Sequence, residues 1–196
     1  MHPAILLLEF ESIAVGIVAG DAMAKRAQLV SLHTGTVQPG KYLVLAGGEV
    51  GHVEEARTAG RECGKSALID EIYLPEVHSE VVEAMIGSRR PGLGAALGVV
   101  ETRTVAAVIG AADAGIKAAE VEILQISMAD GLGGKGYVLF SGEVHNVQAA
   151  VDRSVTSLSS ADLLVASVVI PQIHGEMLDN LLTDAEFAPR ARSYEP

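Results

Sequence analysis

A glycine-rich segment in the second half of the chain has spacings that other proteins use to bind phosphate. Gly131, Gly133 and Gly136 fit the G-x-G-x-x-G pattern, which brings backbone amides to a pyrophosphate at the start of a helix. Here Gly136 leads into a strand-like run at 137–140. Gly134-Lys135 lacks the flanking glycine and hydroxyl residue of a P-loop. We therefore interpret the segment as a turn between two strands, where glycine permits positive φ.

Acidic residues, histidines and one cysteine are the other candidates for chemistry. Glu9 and Glu101 each end an apolar run, and His78 and His174 each follow a Pro-containing strand end. Because both pairs recur in matching surroundings, we interpret them as packing or hydrogen-bonding residues, the histidines bonding a backbone group where the chain leaves a strand. Cys63 is interpreted as a small buried residue in the last turn of a helix. The sequence thus predicts no catalytic residue, no metal site and no cofactor.

The elements that must position these residues occur twice. Residues 8–14 return at 100–106 and residues 21–25 at 113–117, both at an offset of 92 positions. The offset grows to 94 at residues 142–144 and to 96 at residues 171–174, so the insertions fall between elements. This pattern predicts two copies of one domain, over residues 3–88 and 94–182, followed by a flexible tail at 183–196.

Each copy is predicted to follow the order β-α-β-β-α-β, an α/β (α+β) fold of the ferredoxin-like kind. Ser12 and Thr104 are suited to cap the first helix of each copy. In the first copy the second strand is expected over 29–33 and the third over 42–46, joined by a turn from Gly35 to Gly40. A short helix is expected after each last strand, over 79–85 and 176–182.

Composition excludes several classes of function. The formal net charge of −11 argues against nucleic-acid binding, which needs a patch rich in Lys and Arg. The apolar run at 4–8 is far shorter than the roughly 20 residues that span a bilayer, so no membrane partner is expected. A single cysteine rules out an intramolecular disulfide and fits a reducing cytoplasm.

The repeated segments resemble the bacterial microcompartment (BMC) shell domain, and their order resembles the tandem-domain members of that family. The resemblance rests on residues 6–9, 12–14, 21–27, 40–42 and 48–50, and on residues 98–102, 111–119 and 169–174 of the second copy. It implies a non-enzymatic shell protein: a homotrimer shaped as a pseudohexamer, which packs beside hexameric and pentameric shell proteins and passes small polar metabolites through a central pore.

The resemblance also implies site residues. Lys25 and Lys117 match the lysines that join neighbouring tiles at their edges. Two loops match the segments that line the pore. The pore-lining residues so implied are Thr36, Val37, Gln38, Pro39 and Gly40 in the first copy, and Ala129, Asp130, Gly131, Leu132, Gly133 and Gly134 in the second.

Two departures from the family pattern bear on function. The arginine that the family often has two residues before the repeated histidines is replaced by Glu76 and Gln172. Trimers of the propanediol-utilisation type carry a cysteine at the position of Gln38, which holds an iron–sulfur cluster on the threefold axis; an amide is a poor ligand for such a cluster. Two alternatives remain open: a shell protein with a redox or other cofactor in the pore, and a ferredoxin-like small-molecule sensor.

Overall fold

A computed structural model of the protein describes residues 4–88 and 94–183. The first domain contains four strands and three α-helices in its described part. In chain order these are β1 (Ala4–Phe10), α1 (Ile13–Arg26), β2 (Ser31–Val37), β3 (Lys41–Gly48), α2 (Val50–Gly64), β4 (Leu68–Leu74) and α3 (Ser79–Met85).

The second domain repeats this order. Its elements are β5 (Ala96–Thr102), α4 (Val105–Ala118), β6 (Val121–Met128), β7 (Gly136–Gly142), α5 (Val144–Thr156), β8 (Leu164–Ile170) and α6 (Gly175–Thr183). Each domain has one antiparallel sheet, with strand order β2-β3-β1-β4 in the first and β6-β7-β5-β8 in the second. The predicted fold class and duplicated element order are confirmed.

The first helix of each domain begins where a hydroxyl caps it. Ser12 Oγ accepts a hydrogen bond from the Val15 amide at 3.4 Å, and Thr104 Oγ1 accepts one from the Ala107 amide at 3.2 Å. Such a cap satisfies an amide that has no partner inside the helix. Both caps were predicted from the sequence, and both helices lie against the sheet of their own domain.

The second strand differs from its prediction. It begins at Ser31 and runs to Val37, not from 29 to 33, so Gly35 lies within the strand opposite Leu43. The turn is confined to residues 38–40 because Val37 already pairs with Lys41. Sequence reasoning placed the turn too early because glycine usually signals a loop, whereas this edge strand tolerates it.

The largest of the three apolar clusters among the described residues extends across both domains. It includes Ile5, Leu7 and Val81 from the first domain together with Val105, Ile109 and Phe140 from the second. The helix α3 reaches across to the edge strand β6, where the Ile123 amide donates to Glu80 Oε2 at 3.2 Å beside a bulge between Ile123 and Gln125.

None of the helices in the described parts of the chain has the length and apolar character of a membrane span.

Candidate pore turns and domain seam

The residues predicted to line the pore lie at two neighbouring turns. Thr36 and Val37 belong to the end of β2, and not to a loop as expected, while residues 38–40 form the turn itself. The second turn spans 129–135 and is closed by the Ala129 amide, which donates to the Lys135 carbonyl at 2.9 Å. Ala129 and the three glycines of this turn have positive φ, as the glycine-rich sequence predicted.

The structure brings the two turns into contact. A Cβ atom added to Gly134 would lie 2.9 Å from the Gln38 carbonyl oxygen and 2.9 Å from Pro39 Cδ. Only glycine fits so close an approach without moving its neighbours. The side chains of Gln38 and Asp130 are exposed beside this contact. The paired turns therefore present an uncharged amide and a carboxylate to solvent at one end of the boundary between the domains.

The boundary between the domains, here called the seam, is pinned by the buried carboxylate of Glu9. One oxygen accepts from Lys41 Nζ at 2.6 Å, and the other accepts from the amides of Val105 and Ala106 at 2.9 and 3.5 Å. Those amides form the first turn of α4, where a negative charge is stabilised by the helix dipole and by unpaired N–H groups. Glu9 is 0% exposed, so the first domain inserts a fully desolvated anion into the second.

A second polar contact lies further along the seam. Asp113 on α4 accepts a hydrogen bond from the His78 amide at 2.9 Å. Its carboxylate also forms an ion pair with Lys117 Nζ at 2.6 Å. Lys117 Nζ also donates to the carbonyl of Glu76. The segment that follows the last strand of the first domain is thereby fixed to one helix of the second.

Apolar packing fills the middle of the seam. The strand β4 lies on α4, and Ile72 sits directly over Gly110, whose added Cβ would be 2.9 Å from Ile72 Cδ1. A large residue on the strand thus fits against a residue without a side chain on the helix. The seam was not predicted from the sequence. The feature that could have indicated it is the glutamate that recurs at the end of the first strand of each copy, just before the first helix.

The counterparts of these residues in the other copy of the domain do not lie at the seam. Glu101, the counterpart of Glu9, pairs with Lys135 at 2.5 Å, and its side chain is 29% exposed. Asp21 and Lys25, the counterparts of Asp113 and Lys117, pair at 2.5 Å with side chains 59% and 74% exposed. Each of these two motifs is therefore buried in the copy that lies at the seam and exposed to solvent in the other copy.

The remaining predicted residues have structural roles. His78 accepts a hydrogen bond from the Glu80 amide at its Nδ1 atom, at 3.3 Å, and so caps α3, as the sequence suggested. Cys63 lies in the last turn of α2 as predicted, but it is half-buried rather than buried, because it lines a surface hollow with Lys25 and Glu62. Of the predicted tail at 183–196, Thr183 is the last residue of α6, and residues 184–196 lie outside the described residues.

The donor set at the turns does not suit an iron–sulfur cluster. Gln38 presents an amide, and the single cysteine of the chain, Cys63, lies on α2 and not at either turn. Among the described residues no group of three or more His, Cys, Asp or Glu side chains is arranged to hold a metal. Thiolate ligation by residues of these turns is therefore incompatible with the sequence.

The comparisons with known proteins agree with one another on the family of the chain. The model of the BMC domain matches residues 4–77 and 96–173. Bacterial microcompartment shell protein PduT of Citrobacter freundii is 41% identical over 177 residues, covering 90% of this chain and 96% of its own. Major carboxysome shell protein CsoS1A of Halothiobacillus neapolitanus is 40% identical over 95 residues, covering 47% and 92%. The crystal structure of a microcompartment protein from Desulfitobacterium hafniense DCB has a TM-score of 0.76 at 39% identity, covering 89% of this chain and 97% of that one.

Proposed function

The chain belongs to the BMC-domain family and is a structural shell protein of a bacterial microcompartment; we propose that it forms a homotrimeric tile with a pore for small polar metabolites. The observation that carries this proposal is the contact between the two turns at one end of the seam. A trimer supplies six domains in a ring, and repeating the seam around it sets six turns about one axis.

The chemistry of the turns suggests what the pore passes. Three copies of Gln38 would offer amide donors and acceptors that replace part of a solute's hydration shell. Three copies of Asp130 would add negative charge nearby and disfavour anions. Both side chains are exposed in the single chain. The proposed solute is therefore small, polar and not strongly anionic.

We place the inter-tile edge at Lys25 and Lys117, where the tile would meet other copies and other shell proteins. Lys25 is highly exposed, and Lys117 keeps 42% of its side chain exposed despite its bonds to Asp113 and the Glu76 carbonyl. Both residues project from the C-terminal turn of a first helix. An exposed ammonium at equivalent positions in both domains suits a contact repeated around the tile.

Native mass spectrometry and electron microscopy test the tile. We expect a trimer at micromolar concentration and flat hexagonal sheets on grids. The variant Lys25→Ala/Lys117→Ala should remain trimeric and lose the sheets; alanine is preferable to glutamate because a carboxylate at 117 would face Asp113. A persistent monomer or dimer would overturn the trimer, and undiminished sheets in the variant would overturn the edge. A trimer that forms no sheets and binds a small ligand cooperatively would favour the sensor alternative.

The position of Gln38 on the axis has a separate test. In Gln38→Cys, three thiols meeting on the axis should acquire the visible absorption of an iron–sulfur cluster after anaerobic reconstitution with iron and sulfide. The parent protein and Gln148→Cys, which adds a thiol on the exposed face of α5, should gain none. A folded trimeric Gln38→Cys without the absorption would place Gln38 off the axis, and a cluster in the parent would restore the redox alternative.

A further inference from the structure

We infer that the hollow where β4 meets α4 and α5, here called the seam hollow, binds a small aliphatic carboxylate. The carboxylate head is held by Arg153 and Lys117, and the aliphatic part lies against Ile72 and Leu74. The seam hollow has a volume of about 450 Å³ and is partly open to solvent. All of its lining residues belong to one chain, so the inference goes beyond the proposed shell role and does not depend on the trimer.

The shape of the seam hollow comes from a difference in residue size between the two domains. Helix α4 contributes small residues to the lining, namely Gly110, Ala114 and Ala118. Strand β4 contributes the larger apolar residues Ile72 and Leu74. Because the helix has no side chain longer than a methyl group at these three positions, space remains beside an apolar wall. A short aliphatic chain can fill this space and remove apolar surface from water.

Three charged side chains line the seam hollow, and their contacts leave one positive charge uncompensated. Asp113 uses both carboxylate oxygens, since one accepts the His78 amide at 2.9 Å and the other pairs with Lys117 Nζ at 2.6 Å. Lys117 also donates to the Glu76 carbonyl, so its ammonium is held in place with one N–H left for a ligand. The guanidinium of Arg153 has no partner among the described residues.

The free guanidinium favours a carboxylate as the head group of the ligand. Its paired N–H donors match the two oxygens of a carboxylate. The formal net charge of the chain is −11, so its overall field repels anions, and an anion is held only where cations lie close together. A single uncompensated charge balances a monocarboxylate better than a dianion. The ligand class is therefore a monocarboxylate with a short aliphatic chain.

The counterpart of the seam hollow in the first domain serves as an internal comparison. This second hollow is the one that Cys63 lines, and it is formed by α1 and α2 without a strand. Ala59 stands there at the position of Arg153, and Glu62 adds a carboxylate that repels an anion. Arg26 also lines it, but no apolar wall lies beside that cation. We therefore expect carboxylate binding at the seam hollow and not at its counterpart.

NMR of the full chain with labelled isoleucine δ1 methyl groups reports binding at the seam hollow, because Ile72 lines it. The Ile72 signal is assigned by its loss in Ile72→Val. Titration with sodium butyrate at constant ionic strength should shift this signal until it saturates. Butyramide, a neutral molecule of similar shape, should need a concentration about tenfold higher or more. Inorganic phosphate, which has no aliphatic part, should also bind more weakly than butyrate.

Three variants separate a defined site from general attraction of anions. Arg153→Ala should raise the butyrate concentration at half-saturation by about tenfold or more. Ala118→Leu fills the seam hollow at an exposed position without changing charge and should abolish the saturable shift. Arg26→Ala removes an exposed arginine of the counterpart hollow and should titrate as the parent does. Far-UV circular dichroism confirms that each variant is folded.

Several results would overturn the carboxylate site. The inference fails if butyrate produces no saturable shift in the parent, or if butyramide or phosphate binds as tightly as butyrate. It also fails if Arg153→Ala and Ala118→Leu titrate like Arg26→Ala. None of these outcomes bears on the tile, which mass spectrometry and electron microscopy judge separately.

Discussion

The helices α1 and α4 occupy the same place in the two domains but are buried to different extents. Four residues of α1 are buried, all facing its own domain, whereas ten residues of α4 are buried because β4 also covers its outer face. Exposed Ile17 and Val18 correspond to buried Ile109 and half-buried Gly110. Exposure of an apolar helix face here reflects the absence of a neighbouring domain and not a difference in the fold itself.

The largest expected difference between the domains is at the two glutamates. Glu9→Ala should lower the free energy of unfolding by about 3 kcal/mol, because it leaves a partly buried Lys41 and the amides of α4 without their anion. Glu101→Ala should cost the isolated chain less than about 1 kcal/mol, since its pair with Lys135 is partly solvated. Urea unfolding checks this at a protein concentration where both variants have the same oligomeric state. Equal losses would mean that the two sites are equivalent within one chain.

A smaller difference is expected where the helices carry Gly110 and Val18. Gly110→Val should destabilise the chain by about 1–3 kcal/mol, because its branched side chain would overlap Ile72. Val18→Ile extends an exposed side chain and should change the stability of the monomer by no more than about 0.5 kcal/mol. Thermal or urea unfolding measures both. A neutral Gly110→Val would show that β4 can move away from α4 at little cost.

The smallest difference concerns the two lysines. Lys117→Ala removes bonds to Asp113 and the Glu76 carbonyl and should cost about 1 kcal/mol. Lys25→Ala removes one exposed i,i+4 pair and should cost about 0.3 kcal/mol. Denaturant midpoints resolve such a gap when both variants are measured side by side. If Lys25→Ala lowered the free energy of unfolding more than Lys117→Ala does, the assignment of the stronger contact to Lys117 would be wrong.

Sequence reasoning could predict what depends on local pattern and repetition. The colinear motifs revealed the duplication, the hydroxyls at 12 and 104 marked the starts of two helices, and the run after Gly136 was predicted to be a strand. Each of these features is fixed by neighbours within a few residues or by comparison of one copy with the other. The pore-lining and edge residues remain predictions, since their contacts depend on other chains.

Contacts between the domains could not be predicted in the same way. Glu9 and Glu101 have the same local surroundings, so nothing near them in sequence tells which one is buried against a helix 96 positions away. Ile72 and Gly110 match only because two distant elements meet, and no local pattern in the sequence indicates that meeting. Gly35 misled for a related reason: its place opposite Leu43 is set by strand pairing and not by its own conformational preference.

The contact of α3 with β6 has a consequence for solubility. An edge strand offers unpaired backbone groups on which a foreign strand can assemble, which makes it a starting point for aggregation. Here Glu80 holds the Ile123 amide, and the bulge at Ile123 and Gln125 interrupts the regular spacing that a new strand would need. The protein can therefore reach the high local concentrations of a growing shell while this edge is closed to unspecific β-sheet growth.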